Sequence, residues 1–153
     1  MIRDSMLFVS GEIEKGDSGS ESLKISDTKN FRRTIYGKIS RKELNHYLAL
    51  FDYPDPNIHT STREETITPA QKLYFINSPF VLSRARKIAS NLVNDNLELS
   101  VQNSYLKILS RLPSEQEKSD TIKYISLNEE KRIERLTRFA QNLLISNEFI
   151  FRD

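Results

Sequence analysis

The chain has 153 residues, of which 23 are basic and 21 acidic, giving a net charge of +2, and it has no cysteine. This length supports one hydrophobic core without disulfides or metal staples. The missing thiols exclude a disulfide framework, thiolate metal sites, covalent haem attachment and a cysteine nucleophile, and the near-balanced, interspersed charges exclude a strong field for nucleic acid or anionic membrane.

A hydrophobic fraction of 37% with 29% charged residues is polar for a compact domain but is not the composition of a disordered chain. No apolar run approaches the ~20 residues of a membrane helix, which argues against membrane insertion. Residues 1–9 carry no signal-peptide pattern; they read as a helix that ends at Gly11 and has no cap ahead of it. The expectation is that 1–11 is the end of a truncated upstream region of a longer parent. Gly16, Ser18, Gly19, Ser20, Ser22 and Ser26 then predict a flexible linker over 12–30, with a helical C-terminal domain over 31–153.

From Phe31 to Ile39 the side chains alternate, with Phe31, Arg33, Ile35 and Ile39 on one face. A period of two predicts a short strand, and the β-friendly stretch Thr60 to Thr68 is its nearest partner. Ser40 followed by Glu43 forms a capping-box pattern for a helix carrying Leu44, Tyr47, Leu48 and Phe51 on one face. Asp52 to Pro56, with two prolines, ends it. Thr68, Pro69 and Gln71 predict the start of a second helix, and Asn77 its left-handed end.

Ser78–Pro79 restarts a helix with the apolar stripe Val81, Ala85, Ile88, Ala89 and Leu92, leaving Arg84, Arg86 and Lys87 off the stripe and solvated. Asp95 and Glu98 mark a helix with Leu97, Val101, Tyr105, Ile108 and Leu109, stopped by Pro113. Ser114 and Glu117 form another capping box, ahead of Ile122 and Ile125. The last helix, about 129–145, turns Ile133, Leu136, Ala140, Leu143 and Leu144 inward. The fold class is therefore mainly α: an irregular bundle of six or seven helices with one small β element near 31–39 and 60–68.

Several segments, in order, resemble a large bacterial family. They are I-R-D-S-M-L-F-V-S-G (2–11), F-R-R-T-I-Y (31–36), F-D-Y-P-D-P (51–56), R-E-E-T-I-T-P-A-Q-K-L (63–73), N-S-P-F-V (77–81), L-S-R-L-P-S-E-Q-E (109–117) and L-L-I-S-N-E-F (143–149). The ordered set resembles domain of unknown function 1553, best known from planctomycetes. Ser110 stands where that family usually has glycine, and Lys72 where it usually has alanine. The resemblance implies a C-terminal module of a secreted or periplasmic parent, partnered by missing upstream domains of the same polypeptide. In some relatives those include a haem-bearing cytochrome-c-like domain. This segment itself implies no cofactor.

The sequence offers few side chains for chemistry. His46 and His59 are the only histidines; His46 reads as a partly exposed helix residue, and His59 as part of a polar loop. Asp52, Asp55, Glu64 and Glu65 suit turns and loops better than a catalytic pair. Arg32, Arg33 and Arg63 are the anion-binding candidates: converging guanidinium groups would hold a carboxylate or sulfate. The simpler role is a salt bridge to Asp52, Asp55 or Glu64. Ser40, Glu43, Thr68, Pro69, Gln71, Asn77, Ser114 and Glu117 are explained by capping. No catalytic or metal residues are assigned, and no phosphate loop, nucleophile elbow or zinc-protease signature is present.

Two functions follow. The first is a structural or interaction module. The alternative is part of an enzyme or binding site for an anionic polysaccharide-type substrate. Nucleic-acid binding through the basic helix 79–93 is disfavoured, because no aromatic side chains are interleaved with Arg84, Arg86 and Lys87.

Overall fold

The computed structural model describes residues 2–14, 22–42, 45–55, 57–59, 68–93 and 96–151. Among these, eight α-helices follow in chain order: α1 (Ile2–Ser10), α2 (His46–Leu50), α3 (Pro69–Asn77), α4 (Pro79–Leu92), α5 (Leu97–Leu109), α6 (Glu115–Ser126), α7 (Arg132–Leu144) and α8 (Asn147–Ile150). Short 3-10 helices occupy Thr34–Tyr36 and Glu129–Lys131.

The fold is mainly helical, as the spacing of apolar residues implies. Helix α4 is its centre, packing most extensively on α7 and next on α1. Val81, Ala85, Ile88 and Ala89 of α4 and Leu136, Ala140 and Leu144 of α7 are almost wholly buried. Full burial of a large aliphatic side chain contributes roughly 1.5–3 kcal/mol, so the α4–α7 pair supplies much of the driving force. Helix α1 adds Met6, Leu7 and Val9 to the same core. Of the stretch 12–30, Leu23 and Ile25 are buried too.

Local chemistry sets most helix ends. Thr68 Oγ1 accepts from Gln71 N–H at 3.3 Å while Gln71 Oε1 accepts from Thr68 N–H at 3.2 Å. Ser114 and Glu117 repeat the exchange at 3.2 and 2.7 Å. Gln71 also donates Nε2 to Leu50 O at 2.9 Å, tying α3 to the end of α2. The rings of Tyr47, Phe51, Tyr74 and Phe75 complete that joint, with centroids 4.9 Å apart for Tyr47–Phe51 and 5.2 Å for Phe51–Phe75.

Four expectations need correction. The strand over 31–39 does not form: Thr34–Tyr36 is a 3-10 turn, Ile35 is 69% exposed, and the described residues hold no sheet, only an isolated parallel bridge between Leu23 and Gly37. The reason is that side chains of α1 take the backbone groups a strand would offer. Arg3 binds the carbonyls of Asn30 and Arg32, and Asp4 binds Thr34 N–H. The proposed partner 60–68 lies outside the described residues except for Thr68, as does Glu43.

The helix expected to start at Ser40 starts instead at His46, where Asn45 Oδ1 accepts from Tyr47 N–H at 2.9 Å; Asn caps at least as well as Ser. Ser40 Oγ accepts from Lys42 N–H in a local turn. Asn77 is not left-handed: it is the last residue of α3, and its Nδ2 donates to Leu73 O. Ile133, expected inward, is 42% exposed: it is the second residue of α7, in the opening turn that follows the 3-10 turn, ahead of the buried stripe from Leu136 onward.

Candidate functional site

Two arginines on helical core positions organise the region around the N-terminus of α4. Arg3, Met6, Leu7 and Ser10 are all buried at the i, i+3, i+4, i+7 spacing of one helix face. Arg3 therefore begins a buried stripe. It donates Nη1 to Arg32 O at 2.8 Å and to Thr34 Oγ1 at 3.3 Å, and Nη2 to Asn30 O at 2.6 Å. Its neighbour Asp4 accepts from both the amide and the hydroxyl of Thr34.

Arg84, expected to be solvated, is 3% exposed. It stands three residues after Val81 and four before Ile88, so it lies within the α4 stripe. Its Nε sits 2.7 Å from Glu12 Oε2, an ion pair rather than an aligned hydrogen bond. Its guanidinium lies over the rings of Phe80 at 4.7 Å and Phe31 at 5.0 Å. Burial pulls the pKa of both guanidiniums down, offset by Asp4 for Arg3 and by Glu12 for Arg84. The pair fixes the segments 12–14 and 28–34 against α1 and α4.

The sequence-derived anion candidates Arg32 and Arg33 are adjacent in the chain and have different surroundings. The Arg32 guanidinium lies over the Tyr36 ring at 5.0 Å. Arg33 is exposed and lies on a groove with Phe8 and Ile35. Arg63 falls outside the described residues, as do Glu64 and Glu65. Asp52 holds a left-handed φ of 54°, and Asp55 Oδ1 accepts from Asn57 N–H at 2.8 Å, so both shape the turn after α2. His59 is exposed, whereas His46, also exposed, lines a cleft beside Tyr47.

The groove, about 510 Å³, runs between α1, the 34–36 turn, α5 and α8. Phe8 and Ile35 stand on it 68% and 69% exposed. Asp4, Arg33, Lys107 and Glu148 bring charges of both signs around it. At one end, Arg111 clamps three segments. It bonds both oxygens of Glu117 at 2.8 Å and both of Glu148 at 2.6 and 3.0 Å, and it lies over the Tyr105 ring at 5.1 Å. These bonds hold the Glu117 carboxyl down to about 2, with the Ser114 amide assisting, and lower that of Glu148.

The family model described as PSD1, protein of unknown function (DUF1553), matches residues 1–125. The chain belongs to this family. No curated protein and no solved structure matches it. The DUF1553 match takes in α1 to α5 and nearly all of α6, and with them Arg3, Arg84 and Arg111. Helices α7 and α8 lie beyond it, although α7 is the main packing partner of α4. This DUF1553 chain has no cysteine, so none of its own side chains can anchor a covalent haem.

The sequence reading passes over Arg3, places Arg84 off its stripe and passes over Arg111. The signal for the first two was their angular place in a helical stripe. For Arg111 it was a position three residues before a capping serine, beside a carboxylate the cap already orients.

Proposed function

We propose that this DUF1553 chain is an interaction module of a longer extracytoplasmic polypeptide, docking neighbouring domains through the groove between α1, the 34–36 turn, α5 and α8. The observation that carries this is the pair Phe8 and Ile35, each more than two-thirds exposed on one groove. Large apolar side chains gathered in a concave surface and rimmed by mixed charge have the anatomy of a contact site. Any haem of the parent belongs to that other part of the polypeptide. The planctomycete-type, cytochrome-associated architecture belongs to the same proposal.

The test is hydroxyl-radical footprinting of the full polypeptide against the 153-residue segment. Phe8 and Ile35 should be labelled in the segment and protected in the whole. Phe8→Ser with Ile35→Ser should weaken docking without lowering helicity, since both side chains already face water. A reading frame with no upstream domain, or equal labelling in both forms, overturns the proposal.

A further inference from the structure

A second concavity, about 720 Å³, is lined by the buried Arg3 and lies between the 23–38 segment, α2, and the start of α4. Its size falls within the range of small-ligand sites. Lys24, Lys38, His46 and Arg3 line it, with Tyr47, Tyr74 and Phe80 as aromatic walls, and no carboxylate lines it among the described residues.

The two lysines are placed by the backbone. Leu23 N–H donates to Tyr36 O at 3.0 Å and Lys38 N–H to Leu23 O at 2.9 Å, the pattern of a parallel bridge between Leu23 and Gly37. Lys24 and Lys38 follow the two bridged residues, and both line the cleft. Like charges lining one cleft are unfavourable without a counter-charge. Neither lysine forms a salt bridge among the described residues. Gly37 is needed for this register: a Cβ there would meet Ile25 Cδ1 at 2.6 Å and Thr34 O at 2.9 Å.

Two further features add positive potential. The 14-residue α4 starts at the cleft with Pro79 and Phe80, and its cap residue Ser78 makes no side-chain capping bond. Arg3 is 3% exposed, and its Nε has no hydrogen-bond partner among the described residues.

We propose that this cleft binds a ring-bearing organic anion. Its sulfate, phosphate or carboxylate group would sit between Lys24 and Lys38, with its ring against Tyr47 and Tyr74. The site is separate from the apolar groove, so it stands or falls independently of the docking role.

The test is calorimetric titration of the folded chain at low ionic strength with phenyl sulfate, phenyl phosphate and benzoate, and with inorganic sulfate, inorganic phosphate and phenol as controls. At least one phenyl anion should bind more tightly than every control, and the best of the three identifies the anionic group. Lys24→Gln with Lys38→Gln should weaken it roughly tenfold or more, and Lys24→Arg with Lys38→Arg should restore it. Both lysines are exposed, so the circular dichroism melt should not move. Binding of inorganic anions as tight as that of their phenyl esters, equal binding by the glutamine variant, or no binding by any phenyl anion would overturn the proposal.

Discussion

Arg84 and Arg111 each join segments distant in the chain, yet their surroundings are opposite. The Arg84 side chain is 4% exposed, faces one carboxylate and lies over two aromatic rings. The Arg111 side chain is 38% exposed and shares four bonds with two carboxylates. Counting bonds would rank Arg111 as the stronger link. Solvent reverses the order. Exposed ion pairs contribute about 0–1 kcal/mol because water and salt screen them, whereas removing one partner of a buried pair strands the other charge at about 3–5 kcal/mol.

That ranking can be broken directly. Arg84→Met should destabilise the chain by about 3 kcal/mol, the low end for a buried pair, because the Glu12 side chain keeps 16% exposure. Adding Glu12→Gln should recover part of the loss, since no buried carboxylate is then left alone. Arg111→Met should cost at most about 1 kcal/mol. Urea denaturation of the three variants measures this, and equal losses at the two arginines would refute the comparison.

The pH dependence sharpens it. Glu117 has its carboxyl lowered from the usual 4.5 to about 2, chiefly by the hydrogen bond from Arg111. A group whose pKa is depressed in the folded state stabilises above its unfolded pKa and loses that contribution as pH falls through its folded one. Stability should therefore decline between about pH 4.5 and 2. Glu148, lowered in the same direction, adds to the decline. The Glu117 side chain is 35% exposed, so screening should hold the total to about 1 kcal/mol or less. In Arg111→Gln the acid slope should flatten, and in 1 M salt the parent's slope should shrink. An Arg111→Gln curve parallel to the parent's across that window would show that the clamp does not govern it.

The two arginines also show where sequence reasoning reaches. The Thr68–Gln71 and Ser114–Glu117 boxes are legible because donor and acceptor sit three residues apart and need only a local turn. Val81, Ile88, Val101 and Leu144 are legible as core because apolar residues recur at the helical period. Arg84 is not legible in this way, because the groups that accept its guanidinium in the core, Glu12 and the Phe31 ring, come from segments far from it in the chain. The supposed strand 31–39 failed for a different reason. Its alternation was real, but the hydrogen bonds that bend it come from Arg3 and Asp4, nearly thirty residues earlier. The apolar groove and the basic cleft were likewise invisible, because each is assembled from segments that only the fold brings together.

The smallest effect expected concerns the residue before Arg111. Ser110 ends α5 at φ 59°, and its N–H returns to Leu106 O at 3.1 Å. A left-handed backbone costs a residue with a Cβ about 1–2 kcal/mol. Glycine would relieve that strain but lose about 0.4–1 kcal/mol through the greater freedom of its unfolded chain. Ser110→Gly should thus stabilise by about 0.5 kcal/mol. Ser110→Ala should leave stability nearly unchanged, because it removes an exposed hydroxyl and keeps the strain. The gain from glycine should persist in an Arg111→Gln background, since it arises in the backbone and not in the clamp. If glycine stabilises only when Arg111 is present, Ser110 and the clamp act as one unit, and the exposed junction is more tightly coupled than its solvent exposure allows.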